Sequence, residues 1–126
     1  MTLEKVPFAK LLGIQLDSVE PGYAVLSMEV RHELKQNHGV VHGGAIAALI
    51  DSAMALAIMP LLAENERTTT VDLTIHYLRP LTEGTARSSA RVVRAGKRVI
   101  TVSAELFDEH GKLAATALST YLRLSV

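Results

Sequence analysis

Residues 36–44 read Gln-Asn-His-Gly-Val-Val-His-Gly-Gly, and a long apolar segment, residues 45–63, follows them directly. Asp51 is the only charged residue in that segment. An ionised carboxylate among apolar side chains is costly unless it is paired or has a function. A polar, glycine-rich entry to a helix that carries one carboxylate is a common way to build an acyl-transfer site. The stretch therefore predicts a long helix that starts near Gly43 and a candidate active site at Asp51.

The apolar segment is about long enough to cross a bilayer, but its composition argues against a membrane span. It is rich in alanine, it carries Asp51 and Ser52 near its middle, and it includes Pro60. Charged residues at the centre of a membrane span are expensive. We therefore expect a core helix, no membrane partner, and coverage of the helix on every side by the rest of the chain.

The remainder of the chain is dominated by strand patterns. Apolar and polar residues alternate strictly over residues 70–77, which predicts a strand with one buried face. Further strands are predicted at residues 15–19, 23–30, 85–94, 98–107 and 112–124. Short glycine-containing turns at residues 95–97 and 108–111 predict hairpins and thus an antiparallel sheet. With a short helix over residues 8–12, ended by Gly13, and one long helix after the second strand, the fold class is α+β.

The composition limits the number of domains and the partners. A chain of 126 residues suffices for one hydrophobic core and is short for two, which predicts one domain over residues 1–126. Thirteen basic residues balance thirteen acidic ones and aromatic residues make up 4%, so we expect no nucleic-acid partner. The absence of cysteine excludes disulfides and a thiolate nucleophile. Residues 1–10 lack the apolar run of a secretory signal, so we expect a cytoplasmic protein.

The order of these elements, with His42-Gly43-Gly44 and a carboxylate eight residues after Gly43, resembles the hotdog-fold acyl-CoA thioesterases of the PaaI-like, phenylacetate-pathway branch. The resemblance covers essentially the whole chain. It implies a curved antiparallel sheet around a central helix and hydrolysis of an acyl-CoA to a carboxylic acid and free CoA. No separate cofactor is expected, because CoA is part of the substrate. The spacing says little about whether the acyl group is aromatic or aliphatic.

Thioester hydrolysis needs a group that attacks, or activates water, and donors that stabilise the oxyanion. Asp51 is the only helix candidate for the first task. Gly43, at the helix start, offers an unpaired N–H and room for close approach. Eight helical residues separate the two by roughly 12 Å, too far for one carbonyl to touch both. We therefore expect a homodimer in which Asp51 of one subunit works with Gly43 of the other, and dimers that pair into homotetramers.

The resemblance also implies a role for each site residue. Asp51 acts as nucleophile or general base, and the Gly43 N–H polarises the carbonyl. The amide of Gln36 orients water or substrate, and the Thr70 hydroxyl helps to hold the water. His42 supports the loop and is not the base.

Two positions depart from the pattern of the family. The branch with a helix aspartate usually carries Asn at the position of Gln36, whereas Gln is typical of the sister branch with a helix glutamate. If the loop is shifted by one residue relative to the pattern of the family, Asn37 and not Gln36 is the functional amide. Ala55, one turn beyond Asp51, stands where that sister branch has a hydroxyl.

Two alternative functions remain open. A hotdog hydratase or dehydratase normally pairs a catalytic histidine with a carboxylate, but His42 precedes two glycines as in the thioesterases. A non-catalytic acyl-CoA-binding protein has no need of a buried carboxylate at Asp51. His38 and His42 are four residues apart, yet no third ligand follows at a suitable spacing, so no metal site is predicted.

The nucleotide of CoA is strongly anionic and calls for basic side chains near the surface. Lys97 and Arg98, at a predicted hairpin turn, are the nearest candidates for CoA binding. Arg79 and Arg94 are further candidates. Each of these cations is equally explained as an ordinary solvated charge.

Overall fold

The computed structural model describes residues 3–126. Six antiparallel strands form one sheet in the order β1-β2-β4-β5-β6-β3, so β1 and β3 are its two edges. The helices are α1 (Pro7–Leu12) and α2 (Gly43–Ile58). The strands are β1 (Ile14–Glu20), β2 (Tyr23–Glu29), β3 (Glu66–Tyr77), β4 (Thr85–Ala95), β5 (Val99–Phe107) and β6 (Leu113–Ser125). Short 3₁₀ turns occupy Leu3–Lys5, His32–Leu34 and Met59–Leu61.

The prediction of an antiparallel α+β fold with one long helix after the second strand is confirmed. The predicted hairpins connect β4 to β5 and β5 to β6. Helix α2 begins at Gly43 as predicted, but it ends at Ile58, before the end of the apolar segment at residue 63. Pro60 follows in a 3₁₀ turn, since a proline without an N–H cannot continue the α-helical hydrogen bonds.

Helix α2 lies against one face of the sheet, with its main contacts on β2 and β4. Small residues on the facing strands let the two elements approach closely, and they include Ala86, Ser88, Ala90, Ala104 and Ala115. Leu49, Ile50 and Met54 of the helix are fully buried against this face. Apolar burial of this kind supplies most of the free energy of folding.

The expectation that the chain covers α2 on every side is wrong. Along one stripe of the helix, Ala47, Ala48, Asp51, Ser52 and Ala55 are only half-buried. The sheet curves around one side of the helix and leaves this stripe facing outward. By length and composition alone, Gly43–Leu61 is apolar enough to span a membrane, with a mean hydropathy of 1.8. The core helix of a soluble protein passes the same test.

Strand β3 is longer than predicted and less buried. It begins at Glu66, so Thr70 is its fifth residue. A register shift between Thr70 and Asp72 places Val71 in a bulge, which interrupts the alternation of inward and outward side chains. Leu73 is half-buried as the pattern predicts, but Val71 is 55% exposed at the sheet edge. The predicted buried face therefore exists only over part of the strand.

Candidate active site

Two hydroxyl groups from neighbouring strands hold the carboxylate of Asp51. Thr70 Oγ1 donates a hydrogen bond to Asp51 Oδ1 at 3.0 Å. The Tyr121 hydroxyl donates a short hydrogen bond to the same oxygen and lies 3.0 Å from the main-chain oxygen of Asp51. Thr70 and Tyr121 are paired across the β3–β6 ladder, so the register of the two strands brings both donors to one place.

The other carboxylate oxygen, Oδ2, accepts no hydrogen bond from residues 3–126. Asp51 is half-buried, on the outward stripe of α2. One oxygen of the carboxylate is therefore fixed by the protein, and the other is free to meet a water molecule or a substrate.

Tyr121 was not predicted from the sequence. Its side chain is 2% exposed, and burial raises the pKa of its hydroxyl far above the usual range, with the Asp51 charge and their hydrogen bond acting in the same direction. The signal available in the sequence was a tyrosine on the inward face of β6, after Ala117 and Ser119. A buried tyrosine hydroxyl usually has a partner. That partner lies 70 residues away, and no local pattern reveals it.

His42 caps the N-terminus of α2. Its Nδ1 accepts a hydrogen bond from the Gly44 N–H at 2.8 Å, and its backbone is extended, as is usual for an N-cap residue. The imidazole therefore points at its own helix and not at Asp51. The Gly43 N–H, at the first position of α2, has no acceptor within residues 3–126, which is the normal state of a first-turn N–H.

Close contacts limit the space for a side chain at both glycines of the motif, more severely at Gly44 than at Gly43. A Cβ atom on Gly43 would lie 3.3 Å from Cζ and from the hydroxyl oxygen of Tyr77. A Cβ atom on Gly44 would lie 2.9 Å from Nδ1 of His42. Tyr77 also donates a hydrogen bond of 3.0 Å to the Gly43 carbonyl oxygen. Two side chains thus fasten the first turn of α2 while its leading N–H stays free.

A shallow groove of about 300 Å³ opens beside Gly43 and is bounded by Tyr77 and Arg79. Its remaining lining is mostly apolar and consists of Val41, Ile46, Leu78, Pro80 and Leu81. A second concavity of about 650 Å³ shares Leu78 and Arg79 and reaches Lys112. Together they form a path from the free N–H of Gly43 past Arg79 to a second cation.

The amide of Gln36 is turned toward its own loop. Its Oε1 accepts a hydrogen bond from the His38 N–H at 3.2 Å, and its side chain is exposed. Asn37 is exposed as well. No hydrogen bond joins either amide to Asp51 within residues 3–126.

The predicted cations divide between the two ends of the site. Lys97 and Arg98 are exposed on the β4–β5 turn, and the Arg98 carbonyl accepts a 2.8 Å hydrogen bond from the N–H of Arg123. Arg123 follows Tyr121 by two residues, so this turn lies on the Asp51 side. Arg79, in contrast, lies beside Gly43.

A single chain does not bring Asp51 and Gly43 together. Both residues lie on the continuous helix α2, eight positions apart, which corresponds to roughly 12 Å along the axis. Within residues 3–126, no group of three or more histidine, cysteine, aspartate or glutamate side chains is placed to hold a metal ion.

Comparison with known proteins fits this geometry. The family model of the thioesterase superfamily matches residues 38–115, which contain the capped glycine pair, Asp51 and Thr70. The chain belongs to the thioesterase superfamily. The predicted hotdog fold is confirmed with it, and so is the prediction of a thioester hydrolase at the level of the superfamily.

Relatives in this superfamily align along nearly the whole chain. The medium/long-chain acyl-CoA thioesterase YigI of Escherichia coli is 28% identical over 97% of this chain and 88% of its own. The structure of the E. coli PaaI protein, from the phenylacetic acid degradation operon, is similar with a TM-score of 0.89 and 29% identity, covering 97% and 87% of the two chains. The TT0310 protein of Thermus thermophilus is 35% identical, with a TM-score of 0.87 and coverage of 95% and 99%.

Proposed function

We propose that this protein is an acyl-CoA thioesterase that hydrolyses an acyl- or aryl-CoA to a carboxylic acid and free CoA. The observation that carries the proposal is the Asp51 carboxylate, fixed at Oδ1 by Thr70 and Tyr121 and open at Oδ2. Its position on the central helix of a thioesterase-superfamily fold supports the assignment. The similarity to YigI supports CoA as the leaving group.

The active unit in this proposal is a dimer with two shared sites. Asp51 of one subunit faces Gly43 of the other, because roughly 12 Å separates the two residues within a chain. A second copy also explains the half-buried stripe of α2 and the exposed Val71 on the unpaired edge strand β3. Apolar surface of this kind is usually covered by a partner. A homotetramer and a cytoplasmic location stay predictions from the sequence.

Two chemical routes use the same arrangement. In the first, Asp51 Oδ2 takes a proton from water while the water oxygen bonds to the thioester carbon. In the second, Oδ2 itself bonds to that carbon, and water later hydrolyses the resulting anhydride. In both routes the carbonyl oxygen becomes an oxyanion at the Gly43 N–H, the C–S bond breaks, and the CoA thiolate takes up a proton.

The remaining residues assist these steps. The Thr70 hydroxyl donates to Asp51, and its lone pairs remain able to accept a hydrogen bond from the attacking water. His42 keeps the first turn of α2 in place. Gln36, or Asn37 after a loop shift, orients water or substrate once the side chain leaves its contact with His38.

The nucleotide of CoA is bound by cations at the mouth of the site. Arg79 is favoured by its place on the groove that starts at Gly43, and Lys112 stands at the far end of that groove. Lys97 and Arg98 extend from the subunit that supplies Asp51 and so reach the same mouth from the other side. Arg94 lies close to the β4–β5 turn, where its Nη1 approaches Gly96.

The proposal is tested by steady-state kinetics with a panel of aromatic, short-chain, medium-chain and long-chain acyl-CoAs. Hydrolysis is monitored through the release of the free thiol of CoA. At least one substrate class is expected to turn over with the parent protein and not with Asp51→Asn, which preserves the shape of the side chain. Tight binding of acyl-CoAs without release of thiol would show that the protein binds acyl-CoA and does not hydrolyse it. Hydration of an enoyl-CoA without thiol release would indicate a hydratase.

A further inference from the structure

Tyr121 is one of the two residues that fix Oδ1 of Asp51, and the proposed reaction steps assign it no role of its own. Its hydroxyl reaches two atoms of the same residue, Oδ1 and the main-chain oxygen. A single group that bridges both atoms ties the carboxylate to its own turn of α2. The dihedral angles of the Asp51 side chain are thereby restricted.

We infer that Tyr121 is a positioning residue, which with Thr70 anchors Asp51 by Oδ1 so that Oδ2 is the oxygen that reacts. The inference rests on the proposed function, because it assigns a role in that reaction. Catalytic groups must be held close to their productive geometry, and small displacements are costly. Without these donors the two carboxylate oxygens would exchange freely.

The sheet gives Tyr121 the rigidity that this role requires. Its backbone is paired with Thr70 on one side and with Ile100 on the other, so it stands in the interior of the sheet. Thr70, by comparison, lies on the edge strand next to the bulge at Val71. Of the two donors, Tyr121 is therefore the better fixed.

Tyr121 itself does not take part in proton transfer. It is 2% exposed, so neither water nor a thioester reaches its hydroxyl directly. Burial, the neighbouring Asp51 charge and their hydrogen bond raise the pKa of its hydroxyl, which favours the protonated form that donates to Asp51. Its effect on the reaction passes through the carboxylate.

The kinetic test is Tyr121→Phe, which removes the hydroxyl and keeps the ring. We expect kcat to fall roughly 10- to 100-fold, as for a misplaced catalytic group, with an unchanged KM and an unchanged circular dichroism spectrum. Tyr23→Phe is the matched control, because the Tyr23 ring packs under Arg91 at 4.8 Å, in β2 and away from Asp51. A Tyr121→Phe protein that folds and keeps the parental kcat would overturn the inference.

A spectroscopic test does not depend on the folding of Tyr121→Phe. The chain has three tyrosines, so protein labelled with ¹³C at the tyrosine Cζ gives three NMR signals. The Tyr121 signal is expected to move in Asp51→Ala, while the Tyr23 signal stays in place. If the Tyr121 signal does not respond to the loss of the carboxylate, the hydrogen bond is absent in solution and the inference fails.

Failure of the inference and failure of the proposed function give different results. If Asp51→Asn retains parental turnover, the assignment of Asp51 as the catalytic group is wrong. If Asp51→Asn is inactive and Tyr121→Phe is fully active, the catalytic assignment stands and only the positioning role of Tyr121 is lost.

Discussion

The first turn of α2 and the middle of α2 carry the two halves of the proposed site, and they are held in opposite ways. At the first turn, Gly43 is kept in place by a neighbour in sequence, His42, and by the half-exposed ring of Tyr77. At the middle, Asp51 is kept in place by Thr70 and by the buried Tyr121. Both halves include a contact that is distant in sequence, from Tyr77 at the first turn and from Thr70 and Tyr121 at Asp51. We call the donor half the open half, because the Tyr77 ring is exposed, and the carboxylate half the enclosed half, because the Tyr121 ring is buried.

The difference follows from the chemistry of the two groups. A free N–H needs only a helix start and no side chain in the way. A charged carboxylate on a largely apolar helix needs hydrogen-bond donors, and here one donor, Thr70, is exposed and the other, Tyr121, is buried. Within residues 3–126, the open half therefore has an N–H without an acceptor, and the enclosed half has one carboxylate oxygen, Oδ2, without a donor.

The largest effect is expected at the enclosed half. Asp51→Ala removes the attacking or proton-accepting group and should lower kcat about 10²- to 10⁴-fold, while the fold is retained. Asp51→Asn is the isosteric companion, and it should be as inactive and at least as stable. The measurements are steady-state kinetics and thermal unfolding. If the kcat of Asp51→Ala is within a few-fold of the parental kcat, the carboxylate has no part in the mechanism.

At the open half, Gly43→Pro removes the N–H of residue 43. Comparison with a variant that keeps the N–H separates this loss from crowding by the added side chain. Proline is well tolerated at the first helical position, and the extended backbone of His42 suits a following proline. Because the N–H is lost, kcat should fall about 10²- to 10³-fold, as for loss of an oxyanion donor.

Gly43→Ala is the matched control for this substitution. It places a Cβ against Tyr77 as proline does, but it keeps the N–H, so it should lose much less activity. Equal kinetics of the two variants would show that crowding by Tyr77, and not the missing N–H, explains the effect.

A smaller effect is expected from the cations at the mouth. Two variants test these cations: Arg79→Ala, and the double variant Lys97→Ala with Arg98→Ala. Each should raise KM for acyl-CoA about tenfold, because a charged hydrogen bond to phosphate is lost. KM for a truncated pantetheine thioester should not change, since that substrate lacks the nucleotide. Arg91→Ala is the control, because Arg91 lies over the Tyr23 ring and lines neither groove beside Gly43. If KM changes equally for acyl-CoA and for the pantetheine thioester, these cations do not bind the nucleotide and their effect is structural.

The smallest effect is expected at the cap of α2. His42→Ala should lower the free energy of unfolding by about 1 kcal/mol, because the Gly44 N–H loses its acceptor. His42→Asn keeps a capping acceptor and should recover most of that stability. Urea unfolding at a fixed protein concentration measures both. If the kcat of His42→Asn is as low as that of Asp51→Ala, the imidazole has a catalytic role and is more than a helix cap.

What could be predicted from the sequence follows the same division. The helix start in the open half was predictable, because a glycine pair after a polar residue marks it by local chemistry alone, whereas the contact from Tyr77, 34 residues away, was not. Asp51 could be chosen as a candidate site residue from the sequence, because it is the only charged residue in an apolar helix. Its anchor Tyr121 could not be chosen in this way, since strand register decides which hydroxyl reaches it. The bulge at Val71 was equally hidden, because alternation in sequence assumes a regular ladder.

The central claim is that Asp51 of one subunit works with Gly43 of the other, and subunit mixing tests it directly. Asp51→Ala and Gly43→Pro subunits, each inactive alone, are unfolded together, refolded and shown by mass spectrometry to form heterodimers. A random one-to-one mixture should regain about a quarter of the parental turnover, because each heterodimer contains one intact site. Heterodimers that form and remain inactive would contradict the shared site.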